Sequence, residues 1–82
     1  MTSYIHLNEM QVGERATVER VEASTRGSRR GMRRRLLDLG LTPHAEVECV
    51  GKSPFGDPAA YRVRGAIVAI RARDGRSVLL RR

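Results

Sequence analysis

Apolar residues fall into two periods along the chain. Between residues 28 and 40 the period is helical: Met32, Leu36 and Leu39 stand at i, i+4 and i+7, which makes one apolar stripe. Ser28 can cap the start, because its hydroxyl accepts from a free backbone N–H of the first turn. Gly40 supplies a left-handed residue at the end, Leu41 can fold back on Leu36, and Pro43 prevents the helix from resuming. Leu37 lies off the stripe and either widens the core face or meets a partner.

Elsewhere the period is two. Glu46–Lys52 alternates, with Val47 and Cys49 inward and Glu46 and Glu48 outward. In residues 60–64, Tyr61 and Val63 alternate with Arg62 and Arg64, and residues 67–73 return as a hairpin partner after Gly65-Ala66. Residues 16–23 are strand-like, but Val18 and Val21 are three apart, which predicts a bulge or a strong twist. Asp74-Gly75 suggests a tight turn before a last strand at 77–81. Residues 1–14 read as a lead-in with one helical turn at Leu7–Met10. Ser53-Pro-Phe-Gly-Asp-Pro58 is a turn-rich loop, and its Phe55 either tucks onto the core or stands out as a contact.

Five short strands and one helix predict a mainly β fold, a small SH3-like β-barrel with an inserted α-helix at about residues 28–40. Closure would hide strand edges too short to protect themselves. An OB-like barrel fits the same periodicity. At 82 residues, the whole of 1–82 is expected to form one domain with one modest core. With no Trp, one Phe and two Tyr, that core must come from Val, Ile, Leu and Ala. No apolar run approaches a membrane span and no secretory signal pattern opens the chain, so a cytoplasmic location is expected. The single Cys49 fits a reducing compartment and a buried structural thiol.

Charge changes the picture more. The net charge is +7, and 15 of the 16 basic residues are Arg. Arg29, Arg30, Arg33, Arg34 and Arg35 crowd the N-terminal half of the helix, where the macrodipole is already positive. Any one of them reads as a solvated surface charge; together they suit an anionic or acidic partner. Asp38 can pair with Arg34 in the weaker i, i+4 orientation. Arg62, Arg64, Arg71 and Arg73 can form a basic stripe on the outer face of the last hairpin, or be neutralised by Glu46 and Glu48 across strands.

Candidate chemistry is sparse. His6 and His44 each lack a second His at metal-ligand spacing, there is no C-x-x-C, and Arg26-Gly-Ser-Arg-Arg-Gly31 lacks the Walker spacing and its Lys. His6 with Glu9, or His44 with Glu46, could touch a metal, but each reads first as a surface histidine. No nucleophilic triad is recognisable. The chain is therefore expected to be a non-enzyme without a cofactor.

The order of pieces is more specific than any one of them. Arg35-Leu-Leu-Asp-Leu-Gly-Leu-Thr-Pro43, Glu46-Val-Glu, Pro54-Phe-Gly-Asp-Pro58, Tyr61-Arg-Val-Arg-Gly65 and Ala69-Ile-Arg71 follow Leu7 and Val12-Gly-Glu-Arg-Ala16. From about Leu7 to Arg71 the chain resembles the FeoA family, small cytoplasmic accessory proteins of bacterial ferrous-iron uptake. The resemblance implies an SH3-like barrel with an inserted helix, no catalysis, and a partner: FeoB, the ferrous transporter with a cytoplasmic GTPase domain. Iron-dependent repressors share the pattern behind a DNA-binding domain. Two departures stand out: His44 replaces the family's common Gly after Thr-Pro, and Arg73-Asp-Gly-Arg76 replaces a more acidic or Ala-containing ending.

On this reading the contact surface comprises Arg29, Arg30, Arg33 and Arg34, Leu37, and Pro54, Phe55 and Asp57 of the loop. Nucleic-acid binding by a basic barrel is the alternative, supported by the charge and opposed by the shortage of stacking aromatics. Direct ferrous binding is a third reading, and homo-oligomerisation through short edges is admissible.

Overall fold

The computed structural model describes residues 2–22 and 31–82. Six strands form one antiparallel sheet: β1 (Tyr4–His6), β2 (Arg15–Val21), β3 (Glu46–Lys52), β4 (Ala59–Val63), β5 (Ala66–Ile70) and β6 (Val78–Arg81). Their order is β1-β6-β2-β3-β4-β5. A 3₁₀ turn at Leu7–Glu9, helix α1 (Met32–Asp38) and one-turn helix α2 (Ala72–Gly75) complete the described elements. The sheet curls around a single cluster of buried residues and gives the SH3-like architecture, but it does not close. β1 and β5 remain as edges.

The alternating strands bury the faces that their sequence dictates. Val47, Cys49, Tyr61 and Val63 are all buried, and Glu48 and Arg62 pair on the opposite face. In β2, Val18 and Val21 are both buried because the register against β6 shifts between Val18 and Arg20. That shift is the expected bulge, since it returns an out-of-phase valine to the core face.

Helix α1 ends as its sequence predicts. Gly40 has φ +107°, its N–H donates to the Leu37 carbonyl (3.0 Å), and the Leu41 N–H reaches back to the Leu36 carbonyl (3.1 Å). These two bonds make a Schellman motif. Leu36 and Leu41 are fully buried, and Met32 and Leu37 pack against the core.

Four expectations are corrected. The helix begins at Met32, because Gly31 has φ +85° and a left-handed residue cannot continue a right-handed helix; the expected cap at Ser28 lies outside the described residues. Residues 1–14 are more than a lead-in: Tyr4–His6 pairs with Leu79–Arg81, a three-residue strand too short to show a period. β5 stops at Ile70, so Arg71 and Arg73 are not on a strand. Asp74-Gly75 belongs to α2 and is not a hairpin turn. A side-chain contact explains both: the Ala72 N–H donates to Asp57 Oδ1 (2.8 Å), which turns the chain out of the sheet.

Candidate protein-docking surface

The 53–58 loop is built by its own backbone. The Gly56 N–H donates to the Ser53 carbonyl (2.8 Å) and the Ser53 N–H to the Pro58 carbonyl (3.1 Å), so the loop leaves and rejoins the sheet at one point. Asp57 then ties it to α2 through the Ala72 N–H. The peptide bond between Asp57 and Pro58 is cis. This frame holds Phe55 at its tip, 97% exposed, and leaves Pro54 and Asp57 exposed beside it. The one phenylalanine of the chain stands away from the core and presents its whole ring to solvent.

The arginine helix is a separate feature. Arg33 and Arg34 are exposed, and Arg33 Nε donates to the Val21 carbonyl at the end of β2 (3.2 Å). Arg29 and Arg30 lie outside the described residues. Leu37 leans on the core, which favours its packing role over a contact one. The expected Arg34–Asp38 pair is not among the ion pairs of the described residues. The C-terminal end of α1 meets the sheet at the Val63–Arg64 end of β4, where Arg64 Nη2 donates to Thr42 Oγ1. The Phe55 loop joins β4 at its other end, about 14 Å away along the strand. Helix and loop are therefore two patches.

The expected arginine stripe does not assemble. Arg62 pairs with Glu48 (3.0 Å), Arg64 turns to Thr42, and Arg71 and Arg73 follow β5 instead of lying on it. Much of the remaining basic charge is matched locally: Arg15 with Glu48, Arg20 with Glu22, Arg81 with Glu19 and Arg82 with Glu14. Arg34, Arg35, Arg71, Arg73 and Arg76 meet no carboxylate among the described residues. The positive potential is thus concentrated on α1 and around the end of β5.

His6 sits between Glu9 and Glu22, at 3.3 and 3.2 Å. Among the described residues no group of three or more His, Cys, Asp or Glu is arranged to hold a metal ion. His44 has φ +75°, so the turn after Thr42-Pro43 takes a histidine side chain in a left-handed conformation. Cys49 is fully buried, as expected of a structural thiol. No described helix is long and apolar enough to cross a membrane.

Comparison with known proteins agrees with this geometry. Solved structures match the chain over nearly its whole length, among them the following three. A FeoA-like protein of Clostridium acetobutylicum is 30% identical, with a TM-score of 0.82, over 98% of this chain and 87% of that one. The FeoA protein of Chlorobium tepidum is also 30% identical, with a TM-score of 0.78, over 93% of this chain and 68% of its own. The zinc-complexed FeoA of Stenotrophomonas maltophilia is 28% identical, with a TM-score of 0.80, over 93% and 88%. That protein is described as a procaryotic SH3-domain protein and a candidate bacterial ferrous iron transport activating factor. No curated protein matches the chain. The family model of the FeoA domain matches residues 5–82, and with the barrel-like sheet, the inserted helix and the Schellman end at Gly40-Leu41 it makes this chain a member of the FeoA family.

Proposed function

We propose that this chain is a cytoplasmic, non-catalytic accessory module of ferrous-iron uptake, with residues 1–82 acting as one unit. It docks on the GTPase-bearing cytoplasmic domain of a FeoB-type transporter. Family membership supports the iron-uptake role. The observation that carries docking is Phe55, held fully exposed by a loop whose backbone and Asp57 are both tied down. An aromatic presented on a pre-ordered loop loses little entropy on burial, which is how a contact anchor is built. Pro54 and Asp57 flank that anchor. Arg29, Arg30, Arg33 and Arg34 supply a second, charged patch for acidic surface on the same partner, with Leu37 holding the helix in place beneath it.

The test is titration calorimetry against the cytoplasmic GTPase domain of the cognate transporter, with the wild-type chain and with Phe55→Ala. Saturable binding that weakens at least tenfold in the variant is expected, about 1.4 kcal/mol or more. A variant that binds as tightly as the wild type removes the loop from the interface. A charge reversal at Arg33 and Arg34 that leaves affinity unchanged removes the helix patch.

A further inference from the structure

The strand β5 is an edge, and its sequence is unusual for one. Ala66-Ile-Val-Ala-Ile70 carries no charge and no proline, and Ile67 is 61% exposed. Edge strands of this kind normally carry a blocking charge or a bulge, because their free backbone groups template another strand. The orientation of those groups follows from the hairpin. Arg64 and Gly65, at φ +50° and +79°, form a two-residue turn that closes on the pair Val63–Ala66. The closing pair is hydrogen-bonded, so bonding alternates from there. Ala66, Val68 and Ile70 direct their N–H and C=O groups at β4, whereas those of Ile67 and Ala69 point away from the sheet. The neighbouring strand agrees with this phase. The Cys49 backbone bonds to Gly13 and Glu14 on the far side of β3, which leaves Glu48 and Arg62 facing each other. Among the described residues nothing bonds the outward groups of Ile67 and Ala69.

The charge around this edge identifies what fits it. The fifteen residues from Ala59 to Arg73 hold four arginines and no acidic residue. Arg64 stands before the edge and Arg71 and Arg73 beyond it. None of these three meets a carboxylate among the described residues, and Arg64 donates to the Thr42 hydroxyl instead. A second copy is a poor occupant. Antiparallel pairing of two β5 strands sets Ile67 against Ala69 of the other copy and brings each Arg71 beside the other Arg64, like charges at both ends.

We propose that β5 is a strand-addition site for an extended acidic peptide segment of a partner protein. The segment pairs with the backbone of Ile67 and Ala69 and lays small apolar side chains beside them. Carboxylates at its two ends meet Arg64 at one end and Arg71 and Arg73 at the other. This site goes beyond the Phe55 loop: it is a separate surface that reads backbone and end charge, whatever docks on the loop.

The probe is a capped synthetic peptide, Glu-Glu-Val-Thr-Val-Glu-Glu, whose own charge keeps it from self-pairing; the control has Lys at every Glu. Amide exchange and chemical shifts are followed residue by residue by NMR. The expected result is protection of the Ile67 and Ala69 amides by the acidic peptide, at least tenfold weaker with the lysine peptide. Ala69→Pro removes one outward N–H without touching a bond to β4, a substitution edge strands tolerate, and it should abolish the protection while Tyr61 and Val63 keep their shifts. If that variant fails to fold, Arg71→Glu with Arg73→Glu serves instead and should cost at least tenfold in affinity. No protection up to millimolar peptide, or equal binding of both peptides, overturns the proposal. So does concentration-dependent protection of Ile67 and Ala69 without peptide, which would assign the edge to a second copy. None of these outcomes depends on the transporter domain.

Discussion

Gly40 shows how much one position carries. A β-carbon there would sit 3.3 Å from Arg64 Cδ and 3.6 Å from Val63 Cγ2, and the backbone is already in the left-handed region. Gly40→Ala should therefore cost about 1–2 kcal/mol from the backbone alone, read as a lower urea midpoint with an unchanged slope. Gly51, with open space around a β-carbon and no left-handed backbone, is the matched control, and Gly51→Ala should be near neutral. Equal loss in both would show that the φ at Gly40 is not the cause. Tyr61 carries a different burden. Its hydroxyl donates to the Leu7 carbonyl (3.2 Å) in the core, and burial, aided by Cys49 and Asp57, pushes its pKa up to about 12. The unfolded phenol ionises near 10, so the unfolded chain sheds its proton first as pH rises. Stability from this group is intact below pH 10 and falls between 10 and 12, by at most about 1.4 kcal/mol per pH unit. Tyr61→Phe should lose about 0.5–1.5 kcal/mol at neutral pH by removing one of two hydrogen bonds to the Leu7 carbonyl, which keeps the Met10 N–H as a donor, and should lack that alkaline slope. Parallel stability curves for the two proteins from pH 8 to 12 would contradict the assignment.

Among elements, the loop at 53–58 and the end of β5 are one mechanical unit. Asp57 accepts from Ala72, so the same bond orders the Phe55 loop and ends the strand. Asp57→Ala should lower stability by less than about 1 kcal/mol, since the bond is exposed and water replaces it. It should weaken transporter-domain binding more than that figure implies, because Phe55 would then be ordered only on binding. Unaltered affinity would show that the loop holds its shape without the anchor. Leu36→Ala in α1 makes the contrasting case, with an expected loss of about 2–5 kcal/mol from a cavity under the helix.

For the whole molecule, electrostatics concern partners more than folding. The ion pairs of the described residues join partly or fully exposed side chains, each worth about 0–1 kcal/mol. Added salt weakens them while also relieving the self-repulsion of a +7 chain. Thermal stability should thus change little between low and moderate salt, whereas affinity for an acidic partner should fall steadily across the same range. A steep rise or fall in melting temperature with salt would place more of the folding energy in the surface charges than these pairs hold. Acid acts locally: backbone N–H groups of His6 and Gln11 hold the Glu9 and Glu14 carboxyls below their ordinary range. That contribution is present at neutral pH and fades as pH falls below the usual carboxylate range.

Where one short stretch contains its own physical cause, the sequence was sufficient. The alternation of Val47 with Cys49 and of Tyr61 with Val63 settled which strand faces are buried. The i, i+4 spacing with Gly40 and Leu41 settled the end of α1, and the three-residue gap between Val18 and Val21 narrowed β2 to a bulge or a strong twist, of which the register against β6 shows the bulge. The order of motifs along the chain was enough to point to the family. Tertiary structure decided whatever depends on a distant partner. β1 exists because β6 pairs with it, β5 ends because Asp57 captures Ala72, and the arginines of the last hairpin disperse because Glu48 and Thr42 take Arg62 and Arg64. The open edge of β5 belongs with these: its uncharged run is visible in the sequence, but only the order of the strands leaves that run without a neighbour among the described residues. Local patterns fix how each segment folds, and long-range contacts fix which of its surfaces remain free to bind.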